Sequence, residues 1–310
     1  MSNERKYGIT VYGATGFTGR LVCEYLNNQY GVNQDVSWAM AGRSQEKLES
    51  VRDEMGIPKD VPLMVVDAND ADSVKTMVEQ SSVILTTVGP YQLYGSELVE
   101  ACIQAGTDYV DLCGEPAWMH EMIGKHQAAA KAGSGRIVFS CGFDSEPSDL
   151  GIFFLQQAAQ EKFGQPATRV KGRVRAIKGT SSGGTVASFR ETMAAAKRNP
   201  ELYKVLGDAF SLTEEFTGPE QPTGHKPVYD EDLGSWSAPF VMATINTKNI
   251  HRSNFLLGHP YGENFVYDEM LFTGPGEKGE QIAKAVAADK SMANDPKQPG
   301  EGPSLEERNA

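Results

Sequence analysis

Three clusters of residues in this sequence have the types and spacing to do chemistry. The first is Gly13-Ala14-Thr15-Gly16-Phe17-Thr18-Gly19, with a glycine at every third position. Such glycines let a chain turn tightly and bring its backbone close to a pyrophosphate. Free N–H groups at a following helix start would then face the anion. The second cluster is Gly42-Arg43-Ser44. A guanidinium can fork onto phosphate oxygens, and a hydroxyl beside it can add a donor. The third is the run SCGFDSEPSD at 140–149, which includes Asp144 and Ser145. Its carboxyls and hydroxyls could hold a substrate or move a proton.

The elements that must position these clusters follow from the apolar pattern. Strand runs are expected at 7–12, 36–41, 63–66, 83–87, 109–112 and 136–140. Helical patterns separate them, the first with Leu21, Val22, Tyr25 and Leu26 on one face and the others at 45–55, 71–79, 96–105 and 117–132. Strands alternating with helices indicate βαβ units, and this count predicts an α/β, doubly wound parallel sheet of Rossmann type.

In that frame each cluster gains a place. The glycines lie between the first strand and its helix. Arg43 stands just past the second strand, where an acid would hold a ribose 2′-hydroxyl and an arginine instead accommodates a 2′-phosphate. The expected cofactor is therefore NADP(H). Asp67 ends the third strand, where it could accept from an adenine amine or simply cap the next helix. Val88, Gly89 and Pro90 end the fourth strand, a position beside a nicotinamide ribose, with Tyr91 next in sequence. Ligands of such sheets lie beyond the carboxyl ends of the strands. The 140–149 run follows the sixth strand and is expected to face a substrate cleft, although Ser148 or Asp149 could equally cap a helix beginning at Gly151. Glu115 is either a cleft residue or a carboxylate at a helix start.

After Asp149 the pattern changes. A helix is expected at 151–163, a half-exposed strand at 169–178, a helix at 185–197 and a strand at 265–272. Residues 213–239, rich in Pro, Gly and acids, predict a long loop. The expected division is a dinucleotide-binding domain at 1–150, a smaller domain at 151–293 and a polar, mobile tail at 294–310.

Composition narrows the functional classes. With a net charge of −12, the chain is expected to repel nucleic acid and anionic membrane. No apolar run reaches the roughly 20 residues that span a bilayer, and the polar start lacks a signal-peptide core. A cytoplasmic location is expected, with peripheral lipid contact left open. Cys23, Cys102, Cys113 and Cys141 have no CxxC spacing and are expected to be free thiols, mostly buried. The five histidines include no HExxH, so no metal is expected. No tyrosine is followed four residues later by a lysine, so the Tyr-x-x-x-Lys pair of short-chain dehydrogenases is missing.

Six motifs carry a resemblance: YGATGFTG (12–19), AGRS (41–44), VGPYQLYG (88–95), YVDLCGE (109–115), GFDSEPSDLG (142–151) and GTSSGGTVAS (179–188). In combination the sequence resembles the saccharopine-dehydrogenase-like oxidoreductases, most of all their trans-acting enoyl reductase branch. The resemblance implies a Rossmann domain followed by an α+β substrate domain with a mixed sheet. It also implies a further strand and helix after residues 300–304, so a trimmed substrate domain or a fragment is expected, with self-association into a homo-oligomer.

The activity implied is NADPH-dependent reduction of an enoyl double bond in a lipid or polyketide intermediate carried as an acyl thioester. Hydride addition to the β-carbon would leave an enolate that needs an oxygen donor and an α-carbon proton. Tyr91, Asp144 and Ser145 are the candidates for those roles. Two other readings compete. Saccharopine-type imine chemistry would call on Arg173, Arg175 and Arg190 to hold carboxylates. A non-catalytic NADP-binding sensor or scaffold would need no proton donor.

Overall fold

The computed structural model describes residues 5–32 and 34–309. They form two compact units, each discontinuous in sequence. The first takes residues up to Cys141, with 180–191 and 296 onward; the second takes 142–179 and 192–295.

In the first unit, strands and helices alternate: β1 Tyr7–Tyr12, α1 Phe17–Tyr30, β2 Trp38–Gly42, α2 Gln45–Glu54, β3 Leu63–Val65, α3 Ala71–Gln80, β4 Ser81–Thr86, α4 Tyr91–Tyr94, α5 Ser96–Ala105, β5 Asp108–Val110, α6 Pro116–Ala132 and β6 Ile137–Val138. The sheet order is β3-β2-β1-β4-β5-β6, and every pairing is parallel. This is the doubly wound order, with its topological switch between β1 and β4. The expectation of a Rossmann-type sheet holds, with strand ends moved by at most two residues. β1 reads YGITVY because a central parallel strand is covered on both faces. Val11 pairs with Met40 on one side and Leu85 on the other. Val11, Met40 and Trp38 pack with Cys23 and Leu26 of α1 and Leu48 and Val51 of α2.

Helix starts in this unit follow their side chains. Ser44 accepts from the Lys47 N–H at the start of α2, and Asp70 accepts from the Asp72 and Ser73 N–H groups at the start of α3. The cap of α3 is thus Asp70 rather than Asp67. Cys23, Cys102 and Cys113 are buried and Cys141 is half-buried, all four as free thiols. Burial pushes the Cys23 and Cys102 thiols up to about 12, so they are packing groups rather than nucleophiles.

The remaining elements are α7 Glu146–Phe163, β7 Arg169–Val174, α8 Gly183–Arg198, α9 Leu202–Gly207, β8 Val228–Asp230, β9 Ser235–Pro239, α10 Ala243–Leu256, β10 Val266–Gly274, α11 Gly276–Ala288, α12 Ser291–Asn294 and α13 Leu305–Asn309. The second unit is built on a mixed sheet in the order β7-β10-β9-β8. β10 runs parallel to β7 and antiparallel to β9. This matches the mixed α+β sheet that the resemblance implied. Ile152 of α7 and Ile250 of α10 pack with Tyr261, Phe265 and Tyr267 to form its core.

Several expectations need correction here. α7 begins at Glu146, five residues earlier than its apolar pattern, because Pro147 is tolerated in a first turn. Ser148 and Asp149 are therefore inside the helix and are not its caps. The long loop expected at 213–239 contains the β8–β9 hairpin. The tail expected to be mobile is packed: Gly183 N–H donates to the Glu301 carbonyl at 2.9 Å. Among the described residues, no helix is long and apolar enough to cross a membrane.

Candidate functional site

The glycine turn of the first unit is shaped by what lies against it. Gly13 has φ +90°, and a Cβ there would lie 2.7 Å from Thr87 Oγ1. A side chain at this position is thus both strained and blocked. At Gly19 a Cβ would lie 2.1 Å from the Gly13 carbonyl oxygen, so α1 can close on the turn only without one. The Gly13 and Ala14 N–H groups both donate to the Ala41 carbonyl of β2. That leaves the N-terminus of α1 to point outward. Gly16 occupies its cap position, and no side chain caps the helix. The first N–H groups of a helix lack intrahelical partners. Here they open onto a cleft of about 310 Å3 at the carboxyl edge of the sheet.

The cleft gathers most of the residues singled out from sequence. Gly13, Thr15, Gly16, Phe17 and Thr18 form one wall, and Val88, Gly89 and Pro90 form another. Arg43 and Asp67 stand at the rim. Three of the expected cofactor residues do not line it. Ala14 is fully buried in the core, Gly19 is buried in α1, and Ser44 uses its oxygen to cap α2.

The structure adds residues that the sequence reading missed. Lys47, one helical turn past Arg43, brings a second cation to the same rim. Its spacing from Arg43 across a capped helix start was the available signal. Asn69 joins Asp67, and its backbone N–H and side-chain amide both donate to Asp67 Oδ1, at 2.9 and 3.1 Å. Tyr12 ends β1 at the cleft floor; burial, then the Asp67 charge, raises its hydroxyl to about 12. Ser182 and Gly184, at the start of α8, and Pro299 and Gly300 complete the wall. Nothing local in the sequence could have brought residue 300 to residue 17.

The loop after β4 is fixed from below. Tyr91 is buried and stacked on Trp118 at 5.6 Å between ring centroids. Its hydroxyl donates to the Thr86 carbonyl at 3.3 Å and accepts from the Leu112 N–H at 3.4 Å. Burial holds that hydroxyl well above its ordinary value. Tyr91 thus lies inside the first unit, and its hydroxyl is spent on backbone groups. Glu115 accepts from the Tyr91 and Gln92 N–H groups, so it caps α4 rather than its own helix. Beneath them Asp111 accepts from the Tyr109 hydroxyl and from the Cys113 and Ser140 N–H groups. Burial raises the Asp111 carboxyl to about 7.

Asp144 and Ser145 belong to the second unit. The Ser145 hydroxyl is buried and lies 2.9 Å from Asn246 Oδ1, to which it donates. Asn246 in turn donates to the Asp144 carbonyl at 3.0 Å and to Glu269 Oε2 at 2.8 Å. Ser148 donates to the other Glu269 oxygen. Burial raises the carboxyl of Glu269, and partial desolvation raises that of the exposed Asp144. Asn246 and Glu269 were not legible in advance, because they come from α10 and β10, some 100 residues or more after Asp144.

A family model described as the saccharopine dehydrogenase NADP binding domain matches residues 9–137. A Mycobacterium tuberculosis relative is 39% identical over 280 residues, or 87% of this chain and 66% of its own length. The trans-acting enoyl reductase of Mycobacterium ulcerans is 37% identical over 284 residues, covering 88% of this chain and 67% of that protein. That of Mycobacterium leprae is 36% identical over 297 residues, covering 92% and 70%. This chain belongs to the trans-acting enoyl reductase family. It spans about two thirds of the length of the curated relatives it matches. Apo saccharopine dehydrogenase (L-Glu forming) from Saccharomyces cerevisiae superposes on 57% of this chain and 37% of its own, with a TM-score of 0.42 at 14% identity. Nothing about the site follows from so partial a likeness. The matched model gives the chain an NADP-binding domain, and the bare helix N-terminus, the glycine cradle and the paired cations fit that cofactor's phosphates.

The imine-type alternative loses its main support in the second unit. Arg173, one of the cations it would use, is committed to Asp268 at 2.8 Å and Asp230 at 3.2 Å. Those bonds tie β7, β10 and the end of β8 together, and Arg175 lies over the Phe272 ring.

Proposed function

We propose that this chain is an NADPH-dependent oxidoreductase that reduces the enoyl double bond of an acyl thioester, with the first unit holding the cofactor and the second serving the substrate. The observation that carries the reading is its 36–39% identity to trans-acting enoyl reductases across most of the chain. The cation pair at the cleft rim supports the choice of NADPH.

In this reading the first N–H groups of α1, at Phe17 and Thr18, hold the pyrophosphate, and the turn at Gly13, Thr15 and Gly16 lets it approach. Arg43 and Lys47 hold the 2′-phosphate, Asp67 and Asn69 face the adenine, and Val88, Gly89 and Pro90 flank the nicotinamide ribose. When bound, the cofactor supplies a hydride; the second hydrogen arrives as a proton. Asp144, an exposed residue whose carboxyl is raised by partial desolvation, is our candidate for that proton. Ser145 and Tyr91 become positioning residues, since their hydroxyls are occupied by Asn246 and by backbone groups.

The test is NADPH oxidation followed by absorbance with crotonyl, keto and imine substrates side by side. Turnover of the crotonyl thioester alone is expected. Turnover confined to a keto or imine substrate, or none on any, would refute the reading.

A further inference from the structure

The second unit contains a cavity of about 400 Å3 under the 206–225 segment, walled by α10 and β10. Lys248 of α10 lines it and is 2% exposed. An ammonium has three donors. Among the described residues one is taken by the Leu206 carbonyl, at 2.9 Å, in the last turn of α9. Among the described residues no carboxylate lies within ion-pair distance of it. Burial lowers the Lys248 amine to about 8, and the Asp208 charge opposes that shift. A buried lysine with no carboxylate in direct contact is costly, and one helix carbonyl does not account for it.

The rest of the lining says what kind of oxygen these donors await. Asp208, Glu220, Glu269 and Asp268, the last paired with Arg173, border the same cavity. Four carboxyls would repel a carboxylate or phosphate, whereas a neutral carbonyl oxygen accepts from an ammonium without that cost. Thr244 and Thr247, on the same helix, also border it; the Thr247 hydroxyl donates to the Ala243 carbonyl at 2.6 Å and is left as an acceptor. A cavity of this size, partly apolar and with a few convergent polar groups, has the character of a small-molecule pocket.

We infer that this cavity binds the carbonyl-bearing part of a neutral acyl ligand, with the Lys248 ammonium donating to the carbonyl oxygen. The choice of an acyl thioester as that ligand rests on the enoyl-reductase reading; the preference for a neutral carbonyl over an anion does not.

The probe is the crotonyl thioester of N-acetylcysteamine, which is uncharged, with crotonate as its anionic counterpart. Binding is measured calorimetrically without NADPH, in the wild type and in Lys248→Met. Methionine keeps the length and suits an apolar wall, and a thermal melt reports whether the variant is folded. The thioester is expected to bind the wild type, crotonate not measurably, and Lys248→Met about ten-fold more weakly or worse, the loss of one charge-assisted bond. In a second measurement on unmodified protein, mass spectrometry follows acetylation of Lys248 at neutral pH. Added thioester should slow it, and crotonate should not. A purely structural lysine would show neither the protection nor the discrimination. Equal binding in wild type and variant, equal binding of crotonate, or no protection by the thioester would overturn the inference. NADPH turnover of the same thioester is scored separately. Binding and protection without turnover would keep this site and refute the enoyl reading; turnover with kcat and KM unchanged in Lys248→Met would do the reverse.

Discussion

The backbone N–H of Tyr91 donates to Glu115 Oε1 at 2.9 Å, which ties the loop after β4 to the loop after β5. The second carboxylate oxygen accepts from the Gln92 N–H and side-chain amide, each at 3.0 Å. All of these bonds need acceptors, and a carboxylate is acceptor-only. Glu115→Gln would place an NH2 group against N–H donors. The buried donor left unpaired should cost about 1–3 kcal/mol, which lowers Tm by several degrees in a thermal melt. Because the same loop carries Val88–Pro90, NADPH affinity should fall as well. A Tm unchanged from wild type would show that the loop is held by something else.

The glycines of the first turn should separate into two kinds. A Cβ at Gly19 meets the Gly13 carbonyl at 2.1 Å, while one at Gly16 meets it at 3.3 Å. Gly19→Ala should therefore destabilise the protein even without cofactor. Gly16→Ala should leave the apo melt nearly unchanged and weaken NADPH binding, since its methyl group projects into the cleft. Melts of both variants with and without NADPH decide this. Equal apo Tm values would contradict the packing described for α1.

Arg43 and Lys47 should divide the 2′-phosphate between them. Arg43→Ala is expected to cost about 1.5–3 kcal/mol for NADPH and little for NADH. Lys47→Ala should cost less, about 1 kcal/mol, and its effect should shrink as salt is added, since Lys47 is exposed. Fluorescence titration with both cofactors at two salt concentrations measures this. A loss shared equally by NADH would remove either residue from that role.

Asp111 should make stability fall with rising pH. Burial lifts its folded-state carboxyl to about 7 from 3.8, so the folded protein binds a proton that the unfolded chain has released. Its stabilising contribution is full below the unfolded value and is lost as pH rises through the folded one, a slope between about pH 4 and 7. The integrated loss is on the order of a few kcal/mol. When protonated, Asp111 can donate to the Tyr109 oxygen in place of accepting, so its bonds persist. Asp111→Asn mimics that neutral form and should flatten the slope relative to wild type in denaturant titrations at stepped pH. Parallel pH profiles for the two proteins would refute the assignment.

The first unit was largely legible because its order is local. Strand, glycine turn and helix follow one another within 24 residues, and each apolar run announces its own strand. Arg43 and Asp67 were visible for the same reason, being strand-end residues. The cleft wall made by Ser182, Gly184 and Gly300 was not, because it lies over 160 residues from the glycine turn that it faces. α10 was missed because TINTKNIHRSN mixes polar and apolar residues without a face; its polar side chains Asn246, Lys248, His251 and Asn254 are buried. Periodicity reports burial of apolar groups and is silent when a helix buries polar ones. Tyr91 illustrates the opposite error. A tyrosine beside a cofactor loop suggests an acid, yet only packing shows which way its hydroxyl turns.

The return of residues 296–302 to the first unit imposes an order on biosynthesis. The β1–β6 sheet is encoded before residue 141, so it can form early on the ribosome. Its cofactor cleft cannot, because Pro299 and Gly300 belong to the wall and Gly302 packs without a side chain against the Phe17 ring. At about 5–20 residues per second, roughly 10–30 s of translation separate the finished sheet from the finished cleft. Throughout that interval a nascent chain carries the glycine turn but lacks one side of its enclosure. Tight capture of NADPH, and the stabilisation that ligand binding confers, is thereby reserved for chains that have been read through to that point.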